Sequence, residues 1–218
     1  VPLLLTVLAL LSVTAHLAAA ALGVDALVFV FKPLTTLLVI ALAWTLGRAS
    51  VGEAPRLYAR WIVAGLVGSL AGDVFLMLRG DWFVQGLAAF LVAHVCYIAA
   101  FSRRAGRLRP DLSALPYALG YVLLVGRLAP HVGRLLGPVS IYGAVLVGMA
   151  WAALRAWRAT RAPLAAGAAI GGLLFLASDT LLAFGRFVPG APRSEVAVMT
   201  TYIAAQLLIA WSVRAKQG

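Results

Sequence analysis

The sequence predicts an all-α polytopic membrane protein with eight transmembrane helices. Three observations carry that prediction. Hydrophobic residues make up 63% of the 218 positions and charged residues only 11%, with a mean hydropathy of +1.00. A soluble domain holds nearer half apolar and a quarter charged residues. The apolar residues fall in long runs, and about 20 such residues span a hydrocarbon layer about 30 Å thick. Between the runs sit glycine, proline and arginine, which end helices and mark loops. No room is left for a separate soluble domain, so residues 1–218 read as one integral membrane domain.

The elements follow in order. Run 2–22 is as apolar as a signal peptide. It lacks a basic leading segment and is long enough to span, so it reads as the first helix. Run 26–47 carries Lys32 before Pro33 and ends at Gly47-Arg48. Run 57–79 holds Gly68-x-x-x-Gly72 directly before Asp73, and Gly80-Asp81 follows it. Run 82–102 contains His94 and the only cysteine, Cys96. A loop from Arg103-Arg104 to Pro110-Asp111 leads to run 112–129, which is short and contains Pro116. Pro130-His131 separates it from run 136–157. Run 162–184 has Gly167-x-x-x-Gly171 two turns before Asp179. Pro189-Gly190 and Pro192-Arg193 then precede run 195–213. Small residues four apart let helix backbones approach closely, but they carry no chemistry.

The net charge is +11. The arginines sit at run ends, with no basic stripe interleaved with aromatics, so no nucleic-acid partner is expected. Their placement is topological instead. The loops after helices two, four and six, with the C-terminal tail, hold twelve Lys and Arg: Arg48, Arg56, Arg60, Arg103, Arg104, Arg107, Arg109, Arg155, Arg158, Arg161, Arg214 and Lys216. The other loops hold five: Arg79, Arg127, Arg134, Arg186 and Arg193. Positive loops face the cytoplasm, which puts both termini there. The arginine- and alanine-rich composition points to a bacterial inner membrane. A single cysteine allows no intrachain disulfide and no zinc cluster of cysteines.

A weak internal repeat is visible. Lys32-Pro33-Leu34-Thr35 aligns with Gly137-Pro138-Val139-Ser140 at an offset of 105, and Ala71-Gly72-Asp73 with Ala177-Ser178-Asp179 at 106. Tyr97-Ile98-Ala99-Ala100 aligns with Tyr202-Ile203-Ala204-Ala205 at 105. Two four-helix halves around an axis along the membrane normal would give this register.

The chemistry lies in the polar residues within the runs. Only seven residues are acidic, and two of them, Asp73 and Asp179, are inside apolar segments. Such placement costs roughly 2.5–3.5 kcal/mol on insertion scales. At 1.5 Å per residue, Asp73 lies roughly 9 Å inside the outer end of helix three, and Asp179 is at a similar depth in helix seven. Lys32, Tyr202 and, one turn deeper, Gln206 enter from the same side, while His94 is about 18 Å into helix four. Two nearby carboxylates cannot both ionise cheaply, so one stays protonated while the other is ionised against Lys32. That supplies a general acid and a general base in one site. Each residue also has a plain structural reading. Lys32 can snorkel, His94 can be a hydrogen-bonded core residue, Tyr202 and Gln206 can tie helices together, and Arg79, Asp81 and Arg186 can be end charges. No His-x-x-x-His pair, Gly-x-Ser-x-Gly elbow or phosphate-binding glycine loop occurs, so no metal site is expected.

The motifs Phe31-Lys32-Pro33-Leu34-Thr35-Thr36, Gly72-Asp73-x-x-Leu76, Phe90-x-x-x-His94-x-x-Tyr97, Ser178-Asp179 and Tyr202-x-x-x-Gln206, in this order, resemble those of the YhhN family, which includes the lysoplasmalogenases. The resemblance implies an eight-helix membrane enzyme. It would cleave the vinyl ether of a lysophospholipid substrate, a lysoplasmalogen, to a fatty aldehyde and glycerophosphoethanolamine or glycerophosphocholine, with no metal or cofactor. On this reading Asp73, Asp179 and His94 are catalytic. Lys32, Tyr202, Gln206, Tyr97, Ser178 and Arg186 bind substrate, Lys32 and Arg186 through its phosphate. The residues alone also suit a proton-coupled transporter of lipids or small molecules, in which intramembrane acids relay protons, or a lipid-binding scaffold.

Overall fold

The computed structural model describes residues 1–106 and 111–214, and all regular structure among them is helical. Arg107, Arg109 and Lys216, counted above as cytoplasmic charges, lie outside the described residues, as does Pro110. The α-helices are α1 (Pro2–Ala21), α2 (Asp25–Arg48), α3 (Glu53–Met77), α4 (Phe83–Ala105), α5 (Leu115–Val132), α6 (Leu136–Thr160), α7 (Pro163–Phe187) and α8 (Glu195–Trp211). Single 3₁₀ turns precede α5 (Leu112–Ala114) and α6 (Gly133–Leu135). Six stretches are long and apolar enough to cross a membrane. One of them, Leu112–Thr160, contains both α5 and α6, and α8 is a shorter apolar helix of 17 residues. The chain is an integral membrane protein.

The helix ends follow local chemistry. α1 and α7 start on proline, whose missing N–H would be unpaired there in any case. Pro116 also falls in the first turn of its helix, so it does not break α5. α2 begins with Asp25 and ends with Arg48, charges that complement the helix dipole. α4 runs to Ala105 and stops at Gly106, whose φ of 72° suits glycine. Ser194 caps α8 by accepting from the Ala197 N–H at 3.2 Å.

Contacts between α2, α3, α4, α6, α7 and α8 close a ring, with each helix packed on the next and α8 returning to α2. α1 lies outside against α2 and α8, and α5 lies outside against α6 and α7. Small residues set the close seams. A Cβ on Gly72 would run into the Phe90 ring, and one on Gly65 into the Tyr97 ring. A Cβ on Gly68 would sit 3.2 Å from the Ala93 backbone. The first Gly-x-x-x-Gly motif therefore faces α4. In the second motif Gly171 does the work, since its Cβ would stand 2.9 Å from the Ala205 carbonyl of α8, while Gly167 is in ordinary contact only. An aromatic cluster of Phe90, His94, Tyr97, Phe175 and Tyr202 fills the ring centre in edge-on or tilted pairs.

Candidate active site

Six helices of the ring deliver polar side chains to one end of the bundle. Lys32 comes from α2, Asp73 from α3, His94 from α4, Tyr142 from α6, Ser178 and Asp179 from α7, and Tyr202 from α8. Asp73 and Asp179 line one inner cavity of about 100 Å³. A water needs about 10–15 Å³ of such volume, so several fit. The remaining walls are mostly apolar, and Leu124, Val125 and Leu128 of the outlying α5 close one side.

The two carboxylates have different partners. Asp73 is 2% exposed. Its Oδ2 accepts from the Tyr202 hydroxyl at 2.7 Å and from the Thr36 hydroxyl at 3.0 Å. Its Oδ1 faces Lys32 Nζ at 4.0 Å. All three neighbours point hydrogens at Asp73, and the lysine cannot accept one. Asp179 Oδ2 accepts from the Tyr142 hydroxyl. Tyr142 in turn is 2.9 Å from His94 Nε2, which is itself 3.7 Å from Asp179. With Tyr142 donating to the carboxylate, His94 Nε2–H donates to Tyr142. The result is a file from buried His94 and Tyr142 to the partly exposed Asp179.

An outer vestibule of about 720 Å³ adjoins the cavity, with Lys32, Leu182 and Met199 among their shared walls. Arg186 and Arg193 line this vestibule together with Glu195. The Arg186 guanidinium stacks 4.0 Å over the Phe83 ring and lies 3.8 Å from Asp81. Arg193 Nε donates to the Gly185 carbonyl at 2.7 Å, which anchors its side chain on the end of α7.

The geometry thus brings together Lys32, Asp73, Asp179, Ser178 and Tyr202, with His94 behind Tyr142 and Arg186 at the entrance. Ser178 touches the cavity, but its hydroxyl donates to the Val198 carbonyl at 3.0 Å. Tyr97 and Gln206 pair with each other at 2.8 Å, away from the cavity walls. Among the described residues no three His, Cys, Asp or Glu side chains are grouped as a metal cage requires.

Three site residues were not anticipated: Thr36, Tyr142 and Arg193. Two of them carried a signal. Thr36 lies 37 residues before Asp73, and Tyr142 lies 37 before Asp179. Shifting the first pair by the aspartate offset of 106 gives the second pair.

The pattern that defines the YhhN family matches residues 27–213, which include every one of these positions. The chain belongs to the YhhN family. Curated YhhN-related sequences include the protein named Lysoplasmalogenase TMEM86A from Bos taurus, 39% identical over 69% of this chain and 64% of its own length. The Homo sapiens protein of that name is 37% identical over the same shares. A protein named Lysoplasmalogenase from Mycobacterium tuberculosis is 34% identical over 78% of this chain and 66% of its own length. This YhhN chain therefore spans just under two thirds of the relatives it matches. No solved structure matches it significantly.

Proposed function

We propose that this chain is a lysoplasmalogenase-like hydrolase. It cleaves the vinyl ether bond of lysoplasmalogens, releasing a fatty aldehyde and glycerophosphoethanolamine or glycerophosphocholine. The observation that carries this reading is one cavity bordered by two carboxylates with unlike partners. The relatives' printed names support it.

Asp73 is the ionised member. In this mechanism the charge sits there because Asp73 faces Lys32, a cation that cannot accept a hydrogen, beside two hydroxyls that donate to it. Among the described residues no lysine or arginine bridges Asp179, and in this mechanism it brings the proton on the oxygen that Tyr142 leaves free. Asp179 donates this proton to the β-carbon of the vinyl ether, forming an oxocarbenium-like cation. Asp73 stabilises the cation and takes a proton from the water that attacks it. The hemiacetal collapses, and its hydroxyl proton leaves with the glycerol oxygen. One water is consumed, and a proton passed from Asp73 to Asp179 resets the pair. His94 and Tyr142 hold Asp179 in place. Lys32, Arg186 and Arg193 face the vestibule, where the substrate phosphate binds with the alkenyl chain directed inward.

In this reading all eight helices cross the membrane as one unit, in a bacterial inner membrane with both termini cytoplasmic. The two four-helix halves are related through the equivalent pairs Thr36–Asp73 and Tyr142–Asp179.

The test is a lipid-product assay on purified protein with vinyl ether, alkyl ether and acyl lysolipids side by side. Aldehyde is expected from the vinyl ether alone. Asp73→Asn and Asp179→Asn should each lower turnover by about 10²-fold or more, as expected for loss of a general acid or base. Normal turnover in both variants would remove the aspartate mechanism.

A further inference from the structure

A second cleft lies at the other end of α2. Arg48 is sixteen residues beyond Lys32, roughly 24 Å along the helix axis, so this cleft is remote from the cavity. It has a volume of about 340 Å³ and runs along the seam between α2 and α3. Its floor is made of small side chains. Gly47 and Ala59 stand so close that a Cβ on Gly47 would be 2.7 Å from the Ala59 Cβ.

The cleft is amphipathic along its length. Arg48, Arg56 and Arg60 gather at the helix ends, and Trp44 and Val63 lie about one turn further toward the bundle middle. Among the described residues none of the three arginines has an acidic partner within bridging distance. Arg56 Nε is tied to the Ser50 carbonyl at 3.1 Å, which fixes its outer guanidinium nitrogens at the cleft. Trp44 is 54% exposed on the flank of a membrane helix. Cations at the end and aromatic and apolar side chains inward follow the order of a phospholipid, headgroup outward and chain inward. Basic pockets between helix ends bind anionic headgroups in this manner, and arginine forks suit phosphate oxygens.

We propose that this cleft binds one anionic phospholipid, with its phosphate on Arg48, Arg56 and Arg60 and an acyl chain along Trp44 and Val63. The site is separate from the proposed catalytic cavity and does not depend on its chemistry.

The test uses the purified full chain in neutral detergent. It is melted with phosphatidylglycerol, with phosphatidylcholine of the same acyl chains, and with inorganic phosphate. Phosphatidylglycerol should raise the Tm by about 3–6 °C, and the other two by much less. The R48Q/R56Q/R60Q variant should lose at least about half of that rise. The R103Q/R158Q/R161Q variant, which removes equal charge from other loops, should keep it. Equal losses in both variants would mean diffuse attraction and overturn the site. An equal rise with phosphatidylcholine or with inorganic phosphate would overturn it as well. Native mass spectrometry of the unaltered protein gives a reading that does not depend on variant folding. One phosphatidylglycerol per chain should survive detergent exchange in preference to phosphatidylcholine, and no such preference refutes the proposal.

Discussion

Tyr142 stands between His94 and Asp179, and its hydroxyl both donates and accepts. Phenylalanine at this position keeps the ring but removes the link. Tyr142→Phe should lower kcat for the vinyl ether lysolipid by about 10–100-fold, with KM changed less than about threefold, because the residue acts through Asp179 and not on the headgroup. Steady-state kinetics on purified variant check this, and a rise in KM with unchanged kcat would place Tyr142 in substrate binding instead. Asp73 and Asp179 are legible from sequence because a carboxyl in an apolar run has no cheap structural explanation. Tyr142 and Thr36 are legible only through the offset of 106 they share with the aspartates, since tyrosine and threonine are ordinary in membrane helices and bear no charge. Tyr97 and Gln206 show the converse. Polar residues at site depth can serve each other, as these do across the bundle core.

At the scale of elements, the seam between α3 and α4 holds Asp73 against the cavity, and glycine sets its width. Gly72→Ala would push a methyl group into the Phe90 ring, which itself lines the cavity. Overpacking of this kind costs about 1–3 kcal/mol, so the Tm should fall by roughly 3–10 °C. Gly120→Ala on α5, where nothing lies within 4 Å, should leave the Tm unchanged or slightly raised. The start of α5 hangs on a different device. Asp111 accepts from the Ser113 hydroxyl and backbone N–H and pairs with Arg155 of α6. These hydrogen bonds to Ser113, aided by Arg155, hold its carboxyl below the usual range. A lowered carboxyl contributes stability above its unfolded value of about 3.9, which is lost as pH falls through the folded one. Hydrogen exchange over 112–118, taken relative to the intrinsic amide rate at each pH, should thus be flat from about pH 5 to 8 and rise below about pH 4. In Asp111→Asn it should be fast throughout. The helices themselves are legible because their apolar runs match the span length, with ends displaced by a few residues where caps and prolines fix them. The ring order is not, because apolar helices carry no marker of which neighbour each one meets.

For the whole molecule, the excess of Arg and Lys at one end predicts orientation. In a Cys96→Ala background, Val51→Cys in the α2–α3 loop and Pro192→Cys in the α7–α8 loop report opposite sides. A membrane-impermeant maleimide should label Pro192→Cys in intact cells and Val51→Cys only in inverted vesicles; the reverse pattern would place the termini outside. The ring adds a consequence in time. α8 closes it, and α8 supplies Tyr202 to Asp73 across 129 residues of sequence. At about 5–20 residues per second, Tyr202 leaves the ribosome roughly 6–26 s after Asp73. Lys32 is made before Asp73, on the neighbouring helix. For that interval the nascent acid has the lysine as its charged companion, and Tyr202 arrives only with the helix that closes the ring.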